Sequence, residues 1–169
     1  STGATGSGVW DVNNAGNQVW KDNTGTATSY QEPVGATGNS VLFGDSNITA
    51  NTTVTLNSIV SPTAAAFSND TYSYTFVGVG GIAGNIGLTK NGTNVVTFGT
   101  PNSYTGGTAV ANGTLRLSSG GAINHPNADV VVGNTLFTNA LLRIDSGAVG
   151  SNRWLMVGTT NGACGAVYN

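Results

Sequence analysis

Apolar and polar residues alternate along this chain only in short stretches, and pairs such as Asn-Gly and Gly-Gly cut each stretch off before a helical period can develop. The alternation is plainest in Val54-Thr-Leu56, Tyr72-Ser-Tyr74-Thr-Phe76, Leu115-Arg-Leu117 and Leu142-Arg-Ile144. Successive side chains of a strand point to opposite faces, so each segment predicts a strand with one dry face and one wet face. The same reading predicts strands near Val9 to Val12, Ser40 to Phe43, Thr53 to Ile59, Tyr72 to Val77, Gly87 to Lys90, Val95 to Phe98, Thr108 to Val110, Thr114 to Leu117, Asp129 to Val132, Leu141 to Ile144 and Trp154 to Val157. The spacers Asn91-Gly92, Gly106-Gly107, Asn112-Gly113, Gly120-Gly121 and Asn161-Gly162 suit tight corners. Such corners serve either the antiparallel hairpins of a β-sandwich or the turns of a solenoid whose strands stack in parallel.

Charge and repetition favour the solenoid. Only 7% of the residues are charged, too few Glu, Lys and Arg to clothe exposed helices, while 26 are Gly. In a solenoid, outward residues of successive coils lie directly above one another, where like charges repel and neutral Thr or Asn do not. Similar segments also recur from Gly87 onward: Leu88-Thr-Lys90-Asn-Gly92, Thr114-Leu-Arg-Leu117-Ser-Ser-Gly120 and Leu141-Leu-Arg-Ile-Asp-Ser-Gly147. The expected fold is all-β, a right-handed parallel β-helix, with a β-sandwich as the alternative.

Several function classes are set aside by the same composition. A net charge of -2 attracts neither a polyanion nor an anionic membrane surface, so no nucleic-acid partner is expected. No apolar run approaches transmembrane length, and no membrane insertion by this segment is expected. Ser1 opens into a polar Gly/Thr stretch, as the mature side of an export cleavage would. The single cysteine, Cys164, cannot found an internal disulfide framework, and its expected role is that of a small buried hydrophobe.

Four motifs follow one another at ordinary spacing: Gly87-Leu-Thr-Lys-Asn-Gly92, Val95-Val-Thr-Phe98, Asn102-Ser-Tyr104-Thr-Gly-Gly-Thr108-Ala-Val110 and Asn112-Gly-Thr-Leu-Arg-Leu117. Together they resemble the autotransporter-associated β-strand repeat, with its Leu-x-Lys-x-Gly opening, Asn-x-Tyr-Thr-Gly-Gly-Thr corner and Gly-Thr-Leu-x-Leu close. The resemblance implies a bacterial surface or secreted protein built as a parallel β-helix. It marks Leu88, Lys90, Gly92, Tyr104, Thr105, Gly106, Gly107, Gly113, Leu115 and Leu117 as structural repeat positions. Leu88, Phe98, Val110, Leu115 and Leu117 are expected to point inward, with Lys90 and Arg116 outside. One solenoid domain then covers residues 1–169: an N-terminal cap and first coils over 1–50, the repeat over 87–121 and further coils over 122–169.

Candidate sites are few. Asp129, Arg143 and Asp145, with Arg116 and Arg153 on neighbouring coils, are the one local concentration of charge in the C-terminal half, and paired carboxylates can act on a glycoside. The plainer expectation is a set of solvated corner charges. His125, the only histidine, lies in Asn124-His-Pro126-Asn, which reads as a surface loop. Neither a catalytic triad nor a zinc spacing can be assembled around it. Calcium at Gly44-Asp45-Ser46-Asn47 has no further support, and the glycine-rich Gly78 to Gly84 stretch has no helix after it to hold a phosphate. No cofactor or metal is expected. Trp10, Trp20 and Trp154 are the candidates for an interface or a glycan contact, although Trp10 and Trp20 fall where a solenoid covers its first coil.

The expected function is that of an extracellular structural or adhesive surface protein, non-catalytic, forming a rigid β-helical scaffold that self-associates through its solenoid ends, head-to-tail into fibres, and binding a glycan or a host or cell-surface receptor. The alternatives are a carbohydrate-binding module and a polysaccharide-degrading β-helix enzyme.

Overall fold

A computed structural model describes residues 2–35, 37–134, 138–158 and 164–168. Every regular element among them is a strand, and the strands stack into a β-solenoid of about five turns. The first face carries β1 (Thr2–Ala4), β5 (Val41–Gly44), β7 (Ala65–Ser68), β9 (Leu88–Lys90), β12 (Thr108–Val110), β15 (Val130–Val132) and β18 (Leu155–Val157). The second carries β2 (Gly8–Val9), β6 (Thr52–Thr55), β8 (Tyr74–Val77), β10 (Val95–Phe98), β13 (Gly113–Leu117), β16 (Asn139–Ile144) and β19 (Cys164–Tyr168). A third, shorter face holds β11 (Pro101–Asn102), β14 (Ala122–His125) and β17 (Val149–Asn152). All these pairings are parallel, and each coil takes about 20 to 25 residues.

The register turns alternation into columns. On the first face Phe43, Phe67, Lys90, Val110, Val132 and Val157 stand one above another. On the second face the inward column is Val54, Phe76, Phe98, Leu117 and Ile144, and the outward one is Thr53, Thr75, Thr97, Arg116 and Arg143. Phe43 and Phe67 stack at 4.9 Å between centroids, and Phe76 and Phe98 meet edge-on at 5.1 Å. Parallel in-register stacking thus produces an aromatic spine from an apolar residue placed once per coil.

The N-terminal end is closed differently. β1 pairs antiparallel with β3 (Trp20–Lys21), which pairs antiparallel with β4 (Ala27–Thr28). This small sheet carries Trp20 into the bore, where Trp10, Trp20 and Tyr30 are buried with ring centroids 5.2 to 6.1 Å apart. Trp10 also sits 5.6 Å from Phe43, so the plug is continuous with the spine. The expected capping role of Trp10 and Trp20 therefore matches their position. Of the expected corners, Asn161-Gly162 lies outside the described residues.

Candidate functional site

At the Tyr-Thr-Gly-Gly-Thr corner neighbouring coils come into close backbone approach. A Cβ at Gly106 would collide with the Ile86 carbonyl oxygen, and Gly107 takes φ +89° with the Asp129 carbonyl oxygen 2.9 Å from where a Cβ would stand. Only glycine satisfies both positions. Behind them Tyr104 is buried, its hydroxyl 2.6 Å from Thr108 Oγ1. Thr105 lies at the outside of the corner, its backbone N–H donating to the Gly84 carbonyl at 2.9 Å. Desolvation pushes the Tyr104 phenol well above its usual range, outweighing the Thr108 hydrogen bond, and so keeps it neutral.

His125 corrects the surface-loop expectation. It ends strand β14, is fully buried, and places Nε2 3.0 Å from Thr108 Oγ1 and Nδ1 3.3 Å from the Ala128 carbonyl oxygen. The following Pro and Asn look like loop, but the Ala-Ile-Asn-His stretch before them pairs in parallel with β17. Tyr104, Thr108 and His125 form one buried polar chain linking two coils.

Lys90 is the second correction. Expected outside, it occupies the inward column between Phe67 and Val110 and is fully buried. Its stem lies in the core, and Nζ donates to the carbonyl oxygens of Gly92 and, at 3.4 Å, Asn112. The ammonium thus holds the corners of two successive coils. Burial lowers its pKa to about 8 despite the nearby negative charge of Asp70 and Asp45. Gly92 is fixed in the same corner, since a Cβ there would strike the Asn69 backbone. Gly113 takes φ +64° where the Gly92 and Thr93 backbone leaves no room for a side chain. Asp45 caps the corner below, accepting N–H bonds from Asp70 and Thr71 at 2.7 and 2.8 Å and from Tyr72 at 3.2 Å.

Leu88, Phe98, Val110, Leu115 and Leu117 are buried in the bore as expected. The charges of the C-terminal half form two groups rather than one. Asp145 lies between Arg116 and Arg143, with contacts of 2.5 and 2.7 Å, while Arg153 grips Asp129 through two bonds of 2.8 Å. The arginine hydrogen bonds hold both carboxyls below their ordinary range. Among the described residues no three His, Cys, Asp or Glu side chains are placed to hold a metal. Cys164 is exposed at the start of β19, contrary to its expected burial. Trp10 and Trp20 lie too deep for a glycan to reach, whereas Trp154 is 65% exposed.

Fold and corners together define a β-solenoid built of stacked repeats, one stretch of which resembles a passenger repeat. Residues 88–117 match the passenger-associated-transport-repeat, the stretch that contains Lys90, the Tyr104 corner and the Leu115-Arg-Leu117 strand. Neither a curated protein nor a solved structure matches the chain.

Proposed function

We propose that this protein is a non-catalytic surface scaffold, a rigid β-helical segment exported as part of a passenger and able to associate through its C-terminal rung. The observation that carries this reading is the unbroken parallel register from β1 to β18, which makes a rod whose second face presents the ladder Thr53, Thr75 and Thr97 outward. Surface export is supported by the match of residues 88–117 to a passenger-associated-transport-repeat. A structural role is further supported by the engagement of the candidate chemical groups in holding coils together: His125 by Thr108, Asp45 by backbone N–H groups, Asp129 and Asp145 by arginines. Negative-stain electron microscopy of the purified chain across a concentration series tests the reading. Short rods, single or doubled, are expected. Globular particles would overturn it, as would release of product from pectin, alginate or host glycans that is lost on Asp129→Asn or Asp145→Asn.

A further inference from the structure

One outward column on the first face is unlike the rest. Leu88, Thr108, Val130 and Leu155 are paired inward positions, so the residues just before them, Gly87, Gly107, Asp129 and Trp154, form the adjoining outward column. The ladder bonds agree: Leu88 N–H donates to Gly107 O at 3.0 Å, Thr108 N–H to Asp129 O at 3.0 Å and Val130 N–H to Trp154 O at 2.9 Å. Two successive rungs therefore carry no side chain at this position, while the next two carry a carboxylate and then an indole.

The gap is a real groove. It is open to solvent, about 390 Å³ in volume, floored by Gly87 and Gly107 and walled by Thr89, Asn127, Asp129 and Arg153. Its length, about two strand separations of 4.8 Å, is that of one to two pyranose rings. The lining includes one anion and one cation, Asp129 and Arg153, and they neutralise each other through a bidentate pair. A guanidinium has five N–H donors, so Arg153 keeps donors beyond the two bonded to Asp129, and the carboxylate keeps acceptor capacity. Trp154, next along the outward column and beyond the groove lining, leaves a large apolar ring 65% exposed, a surface on which an aromatic contact can form.

We propose that this groove binds a neutral oligosaccharide, with a sugar ring over the Gly87 and Gly107 floor, its hydroxyls bonded to Asp129, Arg153 and Asn127, and Trp154 stacking on the pyranose face at the rim. The ligand class follows from the chemistry: a charge-balanced polar wall hydrogen-bonds hydroxyls, a bare backbone floor admits a ring, and an indole covers its C–H face. The groove floor precedes β9 and β12, while Trp154 borders β18 of the C-terminal rung, so binding is measured below the concentration at which the chain associates.

Trp154 provides its own probe, because Trp10 and Trp20 are buried and only its fluorescence is open to acrylamide quenching. The full chain is titrated with the tetrasaccharides of cellulose, starch, xylan and β-1,3-glucan. At least one is expected to protect Trp154 at millimolar concentration and to give a matching isotherm by calorimetry. Trp154→Ala should weaken that binding about tenfold or more. Gly87→Gln supplies a second arm, since Gly87 has no left-handed φ and its nearest obstacle to a Cβ is 3.5 Å away. This change should fill the groove, abolish binding and leave the unfolding midpoint unchanged. Protection by none of the four sugars would overturn the proposal, as would equal binding to both variants, or binding of alginate oligosaccharides alone.

Discussion

A buried lysine in an otherwise apolar column is the residue that most rewards a measurement. Folding moves Lys90 from water, where its pKa is 10.5, to a site where burial lowers it to about 8. Between those values the unfolded chain holds more protons than the folded one, so the Lys90 contribution makes stability rise with pH across the window. Below about pH 8 the penalty is constant. The urea midpoint of the native chain is therefore expected to climb between pH 7.5 and pH 10 by an equivalent on the order of 1 to 3 kcal/mol. Lys90→Met keeps the length of the stem and removes the titration, so its midpoint should stay level over the same range. The measurement stops at pH 10 because desolvation pushes the phenols of Tyr30, Tyr74 and Tyr104 upward, helped by Glu32 at Tyr30 and Asp45 at Tyr74, which adds an opposing slope above that point. An equal rise in native and variant chains would remove Lys90 as its source.

At the scale of the element, corners and strands answer to different rules. The corner glycines are not equivalent: Gly106→Ala forces a methyl against a neighbouring carbonyl, whereas Gly87→Ala meets only ordinary contact. Thermal unfolding should show Gly106→Ala losing about 2 to 4 kcal/mol or failing to fold, with Gly87→Ala near native. Asp45→Ala strips an acceptor from three N–H groups of the next corner and is expected to cost about 1 to 3 kcal/mol. Desolvation raises the Asp45 carboxyl, but the N–H donors of Thr71, Asp70 and Tyr72 and the charge of Lys90 outweigh it, so its stabilisation is lost as pH falls through the ordinary carboxylate range. How far these elements could be read from sequence depended on contrast. Val95–Phe98 and Thr108–Val110 lie where the alternation placed them, because their inward residues are large or β-branched and glycines bound them. Ala65–Ser68 escaped because Ala carries little strand signal, and the capping hairpin escaped because its strands are two residues long. The inward Lys90 and His125 defeated the pattern for one reason. Polar residues are assigned outward by default, and their burial is made tolerable by partners, Asn112 O and Thr108, that come from another coil.

The two ends of the described rod are built on opposite principles. At the N-terminal end an antiparallel sheet and the Trp10, Trp20 and Tyr30 rings stop the bore. Trp10→Ala should therefore unfold the rod from that end at a cost of about 3 to 5 kcal/mol, read as early loss of near-UV ellipticity. At the other end of the described residues Leu155, Val157 and Val167 continue the inward columns of Val130, Val132 and Leu142 and are more than a third exposed. Unpaired strand edges over apolar columns are a template for pairing. A plugged end offers the same template only where β2 and β4 run, so two C-terminal rungs match each other better than a rung matches a cap. Contact of like with like closes on itself and cannot propagate. Sedimentation velocity should accordingly show a monomer giving way to a dimer as concentration rises, with no larger species. Leu155→Arg and Val167→Arg, which put a charge into that contact, should hold the chain monomeric without lowering its unfolding midpoint. Growth into filaments, or a dimer untouched by both substitutions, would mean that association uses a different surface.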